Sequence, residues 1–170
     1  MKLLQNLHRY DLHTFDWCLR RKHLASLTIL SRWVSKTADG PLYALAALLL
    51  LVNQQYPLAS ILCSALLLER CSYFLLKSHF RRNRPPQVIA GFKSAIQPSD
   101  QFSFPSGHTS AAFLVATLAG QWLPGLGEAL YLWAGLVGVS RVLLGVHFPT
   151  DTVAGATLGH CIALMVLALF

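Results

Sequence analysis

The amino-acid sequence predicts an all-α fold, a polytopic bundle of transmembrane helices. The chain has 170 residues, a length that suits one domain. It is 54% hydrophobic and only 12% charged, which is about half the charged share of an ordinary soluble domain. From Pro41 onwards its apolar residues form long runs separated by polar or proline-containing breaks. Runs of this kind are typical of helices that cross a membrane.

Residues 1–38 mix charged with apolar residues and predict helices that lie in the membrane interface. Apolar side chains recur there every three or four residues, arginines and lysines flank them, and tryptophans are interspersed. This pattern is typical of helices at head-group depth, and an ordinary amphipathic packing helix is the alternative. We therefore divide the chain into an interfacial segment, 1–38, and a transmembrane domain, 39–170.

The transmembrane domain contains enough apolar sequence for about five spans. Residues 41–76 would form about 54 Å of helix at 1.5 Å per residue, too long for one crossing of a roughly 30 Å core. NQQYP at 53–57 is therefore predicted as a turn between two spans. A polar loop, 78–104, precedes three further apolar runs at 106–122, 128–146 and 150–170. This hairpin topology brings three polar clusters to one membrane face.

The first cluster, KSHFRRNRP at 77–85, follows the second span. Lys77 and Arg84 are seven residues apart and would share one face of a continuing helix, which Pro85 would end at Arg84. Arg70 lies seven residues before Lys77, within the span. Because charges inside a membrane are costly and tend to face a cavity or a partner, Arg70 is predicted to line a channel.

Other charged and sulfur-containing residues have simpler interpretations. We predict that three basic side chains contact lipid head groups, namely those of Arg81, Arg82 and Lys93. Glu69 lies within a span and has no evident partner in the sequence. The cysteines show no CxxC spacing and are predicted as small core residues, not disulfides or metal ligands. They are Cys18, Cys63, Cys71 and Cys161.

The second cluster is FSFPSGHTSAAF at 102–113. Pro105 and Ser106 are predicted to open a helix, and Gly107 lets a ligand approach the backbone closely. Free N–H groups at a helix start favour an anion, and His108 lies in that first turn. By itself this pattern also suits a serine-capped helix with an interfacial histidine.

The third cluster is SRVLLGVHFPTD at 140–151. Arg141 precedes His147 by six residues, and Asp151 follows His147 by four. With Pro149 in the first turn of the last span, Asp151 comes within reach of the His147 ring. A carboxylate at one imidazole nitrogen fixes the tautomer and leaves the other nitrogen as a nucleophile or base. A helix-capping arrangement is the alternative.

Together the clusters predict a site for phosphoryl groups. Cations and helix N-terminal amides recognise phosphoryl oxygens, and transfer without a metal needs positive charge supplied by the protein. The sequence lacks the dense carboxylates of a magnesium site and a convincing set of zinc ligands, so we expect neither a metal nor another cofactor. The net charge is +7, and the basic residues lie beside apolar runs. This placement indicates that they bind lipid head groups or a phosphorylated substrate, and it argues against nucleic acid as a partner.

The three clusters resemble the type 2 phosphatidic acid phosphatase family, whose phosphate site is shared with vanadium haloperoxidases. The family pattern reads K-x6-RP, then PSGH, then SR-x5-H-x3-D. Every position matches here, with the spacing intact over residues 77–151. The matching residues are Lys77, Arg84, Pro85, Pro105, Ser106, Gly107, His108, Ser140, Arg141, His147 and Asp151.

The resemblance implies an α-helical membrane bundle, usually of six spans, and a phosphatase that needs no metal. It implies that His147 attacks phosphorus to form a phosphohistidine, that Asp151 orients His147, and that His108 protonates the leaving oxygen. The residues implied to hold the phosphate are Lys77, Arg84, Ser106, Gly107 and Arg141.

The implied substrate is a phosphorylated membrane lipid. Some isoprenyl-pyrophosphate members of the family carry aspartate in place of the PSGH glycine and lack the first lysine. Gly107 and Lys77 therefore favour phosphatidate, phosphatidylglycerophosphate or a polyprenyl-linked sugar phosphate. An undecaprenyl pyrophosphate phosphatase of lipid-carrier recycling is the alternative. A silent lipid-phosphate-binding protein and a haloperoxidase are further hypotheses, disfavoured by the intact histidines and by the membrane spans respectively.

The expected location is a bacterial inner membrane, with several crossings. Lysines and arginines concentrate on the predicted active face, which the positive-inside rule would place in the cytoplasm. The resemblance favours an extracytoplasmic site in many bacterial members. We predict the extracytoplasmic face, because the cations of a catalytic site do not report the bias that sets membrane insertion.

Overall fold

The computed structural model describes residues 2–20, 24–123 and 125–170, and within these ranges it contains eight helices and no strand. The all-α prediction is thereby confirmed. In chain order the helices are α1 Lys2–Leu19, α2 Leu24–Lys36, α3 Gly40–Val52, α4 Tyr56–Phe80, α5 Pro85–Val88, α6 Gly107–Trp122, α7 Gly127–Leu143 and α8 Pro149–Leu167.

Helix α6 forms the centre of the bundle and packs mainly against α8 and α7. Leu114 and Leu118 are fully buried on α6, and small residues let its neighbours come close. A Cβ atom on Gly159 of α8 would lie 1.9 Å from the carbonyl oxygen of Ser110. The backbones of α6 and α8 are therefore in direct contact, which sets the relative height of their N-terminal ends.

The outer faces of the helices carry large apolar side chains. Examples are Leu48 and Leu49 on α3, Leu67 on α4, Leu132 on α7 and Val153 on α8, all of which are exposed. An apolar surface that surrounds the bundle suits lipid and does not suit water. The chain is an integral membrane protein.

Three stretches are long and apolar enough to cross a membrane: Leu24–Val52, Tyr56–Val88 and Pro149–Leu167. Helices α6 and α7 have 16 and 17 residues, slightly short of the usual 20 or so. The first stretch joins α2 to α3, so it begins inside the segment 1–38 that the sequence placed in the interface. The count of five spans and the boundary at residue 38 stay predictions.

The first polar cluster differs from its predicted shape. Helix α4 ends at Phe80, and Arg81 adopts a left-handed conformation with φ 44°, a common way to stop a helix. The prediction that Lys77 and Arg84 share one face of a continuing helix is therefore wrong. Arg84 instead lies in the connection that leads to Pro85, the first residue of α5.

The predicted core position of the cysteines is also wrong for three of them. Cys63, Cys71 and Cys161 are exposed, and Cys18 is half-buried. In a membrane, apolar and small side chains face lipid as readily as they face other helices. An apolar run therefore does not show which of its residues point inward.

Candidate active site

The predicted site residues lie at one end of the bundle, where α4, α6, α7 and α8 meet. Lys77 is in the last turn of α4, and Arg141 is in the last turn of α7. Ser106 caps the start of α6. Its amide donates to the main-chain oxygen of Asp151 at 2.9 Å, which joins the starts of α6 and α8. Residues from all three clusters thereby share one small region.

His147 and Asp151 form a buried pair. The side chains are 3% and 0% exposed, and His147 Nδ1 lies 3.7 Å from Asp151 Oδ2. This separation is longer than a hydrogen bond, and Nδ1 has no other hydrogen-bond partner. Asp151 Oδ2 accepts from the amide of Phe148 at 2.8 Å. The carboxylate is thus anchored to the backbone beside His147, and such contacts often tighten only when substrate binds.

The second ring nitrogen of His147 faces a cation. Arg84 Nη1 lies 3.4 Å from His147 Nε2 and donates to the main-chain oxygen of Val146 at 2.5 Å. Arg84 is only 4% exposed. An oxyanion bound at this guanidinium would lie close to Nε2, which is the geometry that attack on phosphorus requires.

His147 is neutral at physiological pH. Burial lowers the pKa of its imidazole to about 4, because the opposing effect of Asp151 is smaller and Arg84 adds to the lowering. A neutral imidazole has a free electron pair, and a protonated one has none. An imidazole in this state can act as a nucleophile at pH 7.

Arg82 belongs to the site, which corrects its predicted contact with lipid head groups. Its guanidinium donates to Asp151 Oδ1 and to Thr150 Oγ1, both at 2.7 Å, and to Asp11 Oδ2 at 2.5 Å. Asp11, on α1, also accepts from the amide of Thr150 at 3.0 Å. Two buried carboxylates need a shared cation, and Arg82 supplies it.

We expect Arg82→Ala to lower phosphatase turnover by roughly tenfold or more and to cost about 2 kcal/mol or more of folding free energy, because it leaves buried carboxylates unpaired. The neighbouring Arg81→Ala is the matched control, since Arg81 is exposed and its side chain donates to the main-chain oxygen of Ser78. Turnover and melting temperature in detergent check this. Equal effects of the two substitutions would contradict the assignment.

A loop carboxylate engages the cations of the first motif. Asp100 Oδ1 accepts from Lys77 Nζ at 2.7 Å and from Arg84 Nη2 at 2.6 Å. Tyr73 donates its hydroxyl hydrogen to Asp100 Oδ2 at 2.5 Å. Burial by itself would raise the pKa of Asp100, but these hydrogen bonds outweigh it and lower the pKa to about 2. Asp100 is therefore ionised at any physiological pH.

His108 and Arg141 face the other side of the site. His108 Nε2 lies 3.0 Å from Asp39 Oδ1, which comes from the connection between α2 and α3. Arg141 Nη1 donates to Ser35 Oγ of α2 at 2.6 Å, and its buried Nε has no hydrogen-bond partner. A cavity of about 710 Å³ borders both His108 and Arg141. An unpartnered buried guanidinium N–H suits an anion in that cavity.

A second cavity, of about 560 Å³, runs between α3, α4 and α6. Arg70, Gly107 and His108 border its polar end, and apolar residues such as Leu48 and Leu66 line the rest. Arg70 binds Glu69 through Nε and Nη2, at 2.5 and 2.7 Å, so the glutamate that lacked a partner in the sequence has one. The role of Arg70 in lining a substrate channel stays a prediction.

Sequence reasoning missed Asp11, Tyr73, Arg82, Asp39 and Asp100 at this site. A usable signal was the scarcity of acidic residues, since the chain has only seven. Five of them contact a cation or a histidine of this region, namely Asp11, Asp39, Glu69, Asp100 and Asp151. In an apolar chain each carboxylate is costly to bury, so each one is expected to bind a cation or a hydrogen-bond donor.

The residues in 2–20, 24–123 and 125–170 bring no three histidine, cysteine, aspartate or glutamate side chains together in a way that could hold a metal ion. The acidic side chains of the site are instead bound by arginine and lysine. Metal-independent chemistry therefore stays a prediction.

The sequence model of the PAP2 superfamily matches residues 58–170, which include all three polar clusters. The chain belongs to the PAP2 superfamily. The crystal structure of LpxE from Aquifex aeolicus has the same fold, with a TM-score of 0.83 and 26% identity, over 92% of this chain and 94% of that one. The all-helical bundle is thus that of a PAP2 protein.

Two curated PAP2 relatives have phosphatase names. The lipid A 4'-phosphatase of Bacteroides thetaiotaomicron is 30% identical over 76% of this chain and 63% of its own length. The phosphatidylglycerophosphatase B of Bacillus subtilis is 40% identical over 50% of this chain and 44% of its own length. The matched region therefore spans between about half and two-thirds of these relatives.

Proposed function

We propose that the protein is a metal-independent phosphatase that hydrolyses a phosphate ester or pyrophosphate of a membrane lipid. The observation that carries this proposal is the placement of His147. Its ring lies between a backbone-anchored carboxylate, Asp151, and a buried guanidinium, Arg84. A neutral imidazole held beside a phosphate-binding cation is the arrangement that nucleophilic phosphoryl transfer requires. Family membership and the names of the relatives support the same reaction.

The proposed reaction has two steps. In the first, Nε2 of His147 forms a bond to phosphorus as the bond from phosphorus to the lipid oxygen breaks, and His108 gives that oxygen a proton. In the second, water attacks the phosphohistidine, His108 takes a proton from the water, and phosphate leaves. Asp151 stabilises the positive charge that His147 carries in between. Lys77, Arg84, Ser106, Gly107 and Arg141 bind the phosphoryl oxygens, by the resemblance stated above.

Substrate shape follows from the two cavities that border His108. The apolar cavity between α3 and α4 suits a lipid tail, and the polar cavity beside Arg141 suits the head-group side. At Gly107 a Cβ atom would lie 2.9 Å from Tyr73 Cε2, so a larger residue requires movement there. This close packing suits glycine at position 107. Glycine there is one of the two residues from which the sequence predicted a monophosphate substrate, since some pyrophosphate members carry aspartate at that position.

The test is phosphate release by the purified protein in detergent with EDTA present. The panel contains phosphatidate, phosphatidylglycerophosphate, a polyprenyl monophosphate and a polyprenyl pyrophosphate. We expect release at the same rate with and without EDTA, because arginine and lysine supply the positive charge. Release that stops with EDTA and returns with a divalent metal would contradict a metal-independent reaction, and failure on all four lipids would favour a silent binding protein.

We further propose that the protein resides in a bacterial inner membrane with this site on the extracytoplasmic face. The buried cations Lys77, Arg84 and Arg141 have partners inside the site, so their position is explained by chemistry and not by insertion bias. Helix α8 starts at the site and ends at Leu167. A reporter fused after Phe170 should therefore give a cytoplasmic signal, and a periplasmic signal would reverse the orientation.

A further inference from the structure

The first-motif cations already hold an anion from the same chain. Lys77 and Arg84 both donate to one oxygen of the Asp100 carboxylate, at 2.7 and 2.6 Å. Tyr73 donates to the other oxygen at 2.5 Å, and Arg84 Nε also donates to the main-chain oxygen of Asp100 at 3.1 Å. Three contacts thus bind one loop residue to this pair of cations, and the Tyr73 hydroxyl adds a fourth.

Burial distinguishes the carboxylate from the cations that hold it. Lys77 and Arg84 are 6% and 4% exposed, whereas the Asp100 side chain is 32% exposed. Asp100 lies in the connection between α5 and α6, outside every helix. The cations are therefore set into the bundle, while the carboxylate reaches them from the open side and can leave without disturbing a helix.

The same guanidinium connects Asp100 to the nucleophile. Arg84 Nη2 binds Asp100, and Arg84 Nη1 lies 3.4 Å from His147 Nε2. A phosphoryl group that His147 attacks must bind Arg84 on this side. Its oxygens would then need the N–H groups that Asp100 uses, because a guanidinium binds carboxylate and phosphate oxygens through the same fork.

We propose that Asp100 is an intramolecular competitor: its carboxylate occupies the place of the substrate phosphate and must be displaced for phosphate to bind Lys77 and Arg84. This inference rests on the proposed function, since it assigns phosphate to that cation pair. The apparent affinity for any anion at the pair is lowered in proportion to the fraction of protein in which Asp100 occupies it.

The consequence is a higher affinity threshold for every anion in a membrane full of phosphodiesters. Ordinary phospholipids present phosphodiesters with a single negative charge, the same as Asp100. A phosphomonoester carries between about −1.5 and −2 at pH 7 and has three free oxygens, so it displaces the carboxylate at a lower concentration than a phosphodiester does. Asp100 therefore lowers the fraction of protein whose cation pair is occupied by bulk lipid.

The experiment measures inorganic phosphate binding to the full-length protein in detergent by calorimetry. We expect Asp100→Asn to tighten phosphate binding by about tenfold, because it removes the competing charge. Tyr73→Phe should tighten binding in the same direction without changing charge, because the Tyr73 hydroxyl donates to Asp100 and accepts from Lys77 Nζ, so its loss weakens the Asp100-occupied state and leaves Lys77 freer to bind phosphate. Asp16→Asn is the matched control for net charge, since Asp16 is exposed and forms an ion pair with Arg20 on the same helix.

The membrane source of the anion is tested in the same preparation. With inorganic phosphate held well below its Kd in both proteins, phosphatidylglycerol in mixed micelles should compete at about tenfold lower concentration in Asp100→Asn than in the wild-type protein, because every anion that uses the cation pair gains by the same factor. If the competing concentration does not change, Asp100 does not compete with phosphodiesters, and the proposal is wrong.

Each remaining outcome decides the proposal. Weaker or unchanged phosphate binding in Asp100→Asn would show that Asp100 positions the cations and does not compete, which overturns it. Tightening in Asp100→Asn without tightening in Tyr73→Phe would indicate a charge effect and also overturns it. Turnover measured in parallel separates the two proposals. If Asp100→Asn binds phosphate more tightly but the protein hydrolyses no lipid, this inference stands and the proposed function is wrong. If the protein hydrolyses lipid but Asp100→Asn does not bind phosphate more tightly, the proposed function stands and this inference is wrong.

Discussion

His147→Ala should lower lipid phosphatase turnover by at least about 10³-fold, because it removes the atom that bonds to phosphorus. Its Nε2 is the ring nitrogen beside Arg84, and Asp151 lies on the Nδ1 side. No covalent phosphoenzyme should form in this variant. Rapid quenching followed by mass spectrometry of the peptide that contains residue 147 checks this, since the wild-type protein should carry an added phosphoryl group there.

A matched control separates the loss of a nucleophile from the loss of a histidine. His79 lies in the last turn of α4, is exposed, and makes a ring contact with Phe80. His79→Ala should therefore keep turnover close to that of the wild-type protein. If His147→Ala retained full turnover in the same preparation, His147 would not be the nucleophile and the two-step reaction would be wrong.

Gly159→Ala should destabilise the bundle by at least about 2 kcal/mol and lower turnover as well, because the added Cβ overlaps a backbone. That atom would lie 1.9 Å from the carbonyl oxygen of Ser110, and at Gly155 it would lie 2.4 Å from that of Ser106. Either clash moves α8 away from α6. Such a shift separates Ser106 and His108 on α6 from His147 and Asp151 at the start of α8.

The control for this prediction is Gly135→Ala on α7. A Cβ atom at Gly135 meets nothing within 4 Å, and alanine is the better helix former by roughly 0.5–1 kcal/mol. Its melting temperature in detergent should be unchanged or higher. Melting temperatures and turnover of the variants, measured together, check both statements. A Gly159→Ala protein as stable and active as Gly135→Ala would show that the contact between α6 and α8 is not required.

The helices themselves were largely predictable from the sequence. The last apolar run was predicted to start at 150, and α8 starts at Pro149. The turn predicted at 53–57 overlaps the break between α3 and α4. A chain in lipid must satisfy its backbone hydrogen bonds internally, so a long apolar run has little alternative to a helix. The end of α4 was less predictable, because a left-handed residue at Arg81 stops it before the proline does.

The residues of the three motifs were predictable from the sequence, but their contacts and the further residues that bind them were not. The spacing of His147 and Asp151 within one short stretch indicated a pair, and they form one. Arg82 was assigned to head groups because cationic side chains at the end of a membrane helix can extend to them. Its partners include Asp11, which is 71 residues away. Contacts at such separations depend on how helices pack and loops fold, and neither can be predicted from local sequence patterns.

The sequence by itself determined that the chain is an all-helical membrane protein and which residues form the phosphate motifs. Apolar run length and motif spacing are local properties, so they can be read without a structure. Only the tertiary structure showed that Arg82 joins Asp11 to Asp151 and that Asp100 occupies the cations Lys77 and Arg84. In lipid both faces of a helix can be apolar. The pairing of scarce charges is therefore decided by how α1, α4 and α8 pack with the connections that carry Arg82, Arg84 and Asp100.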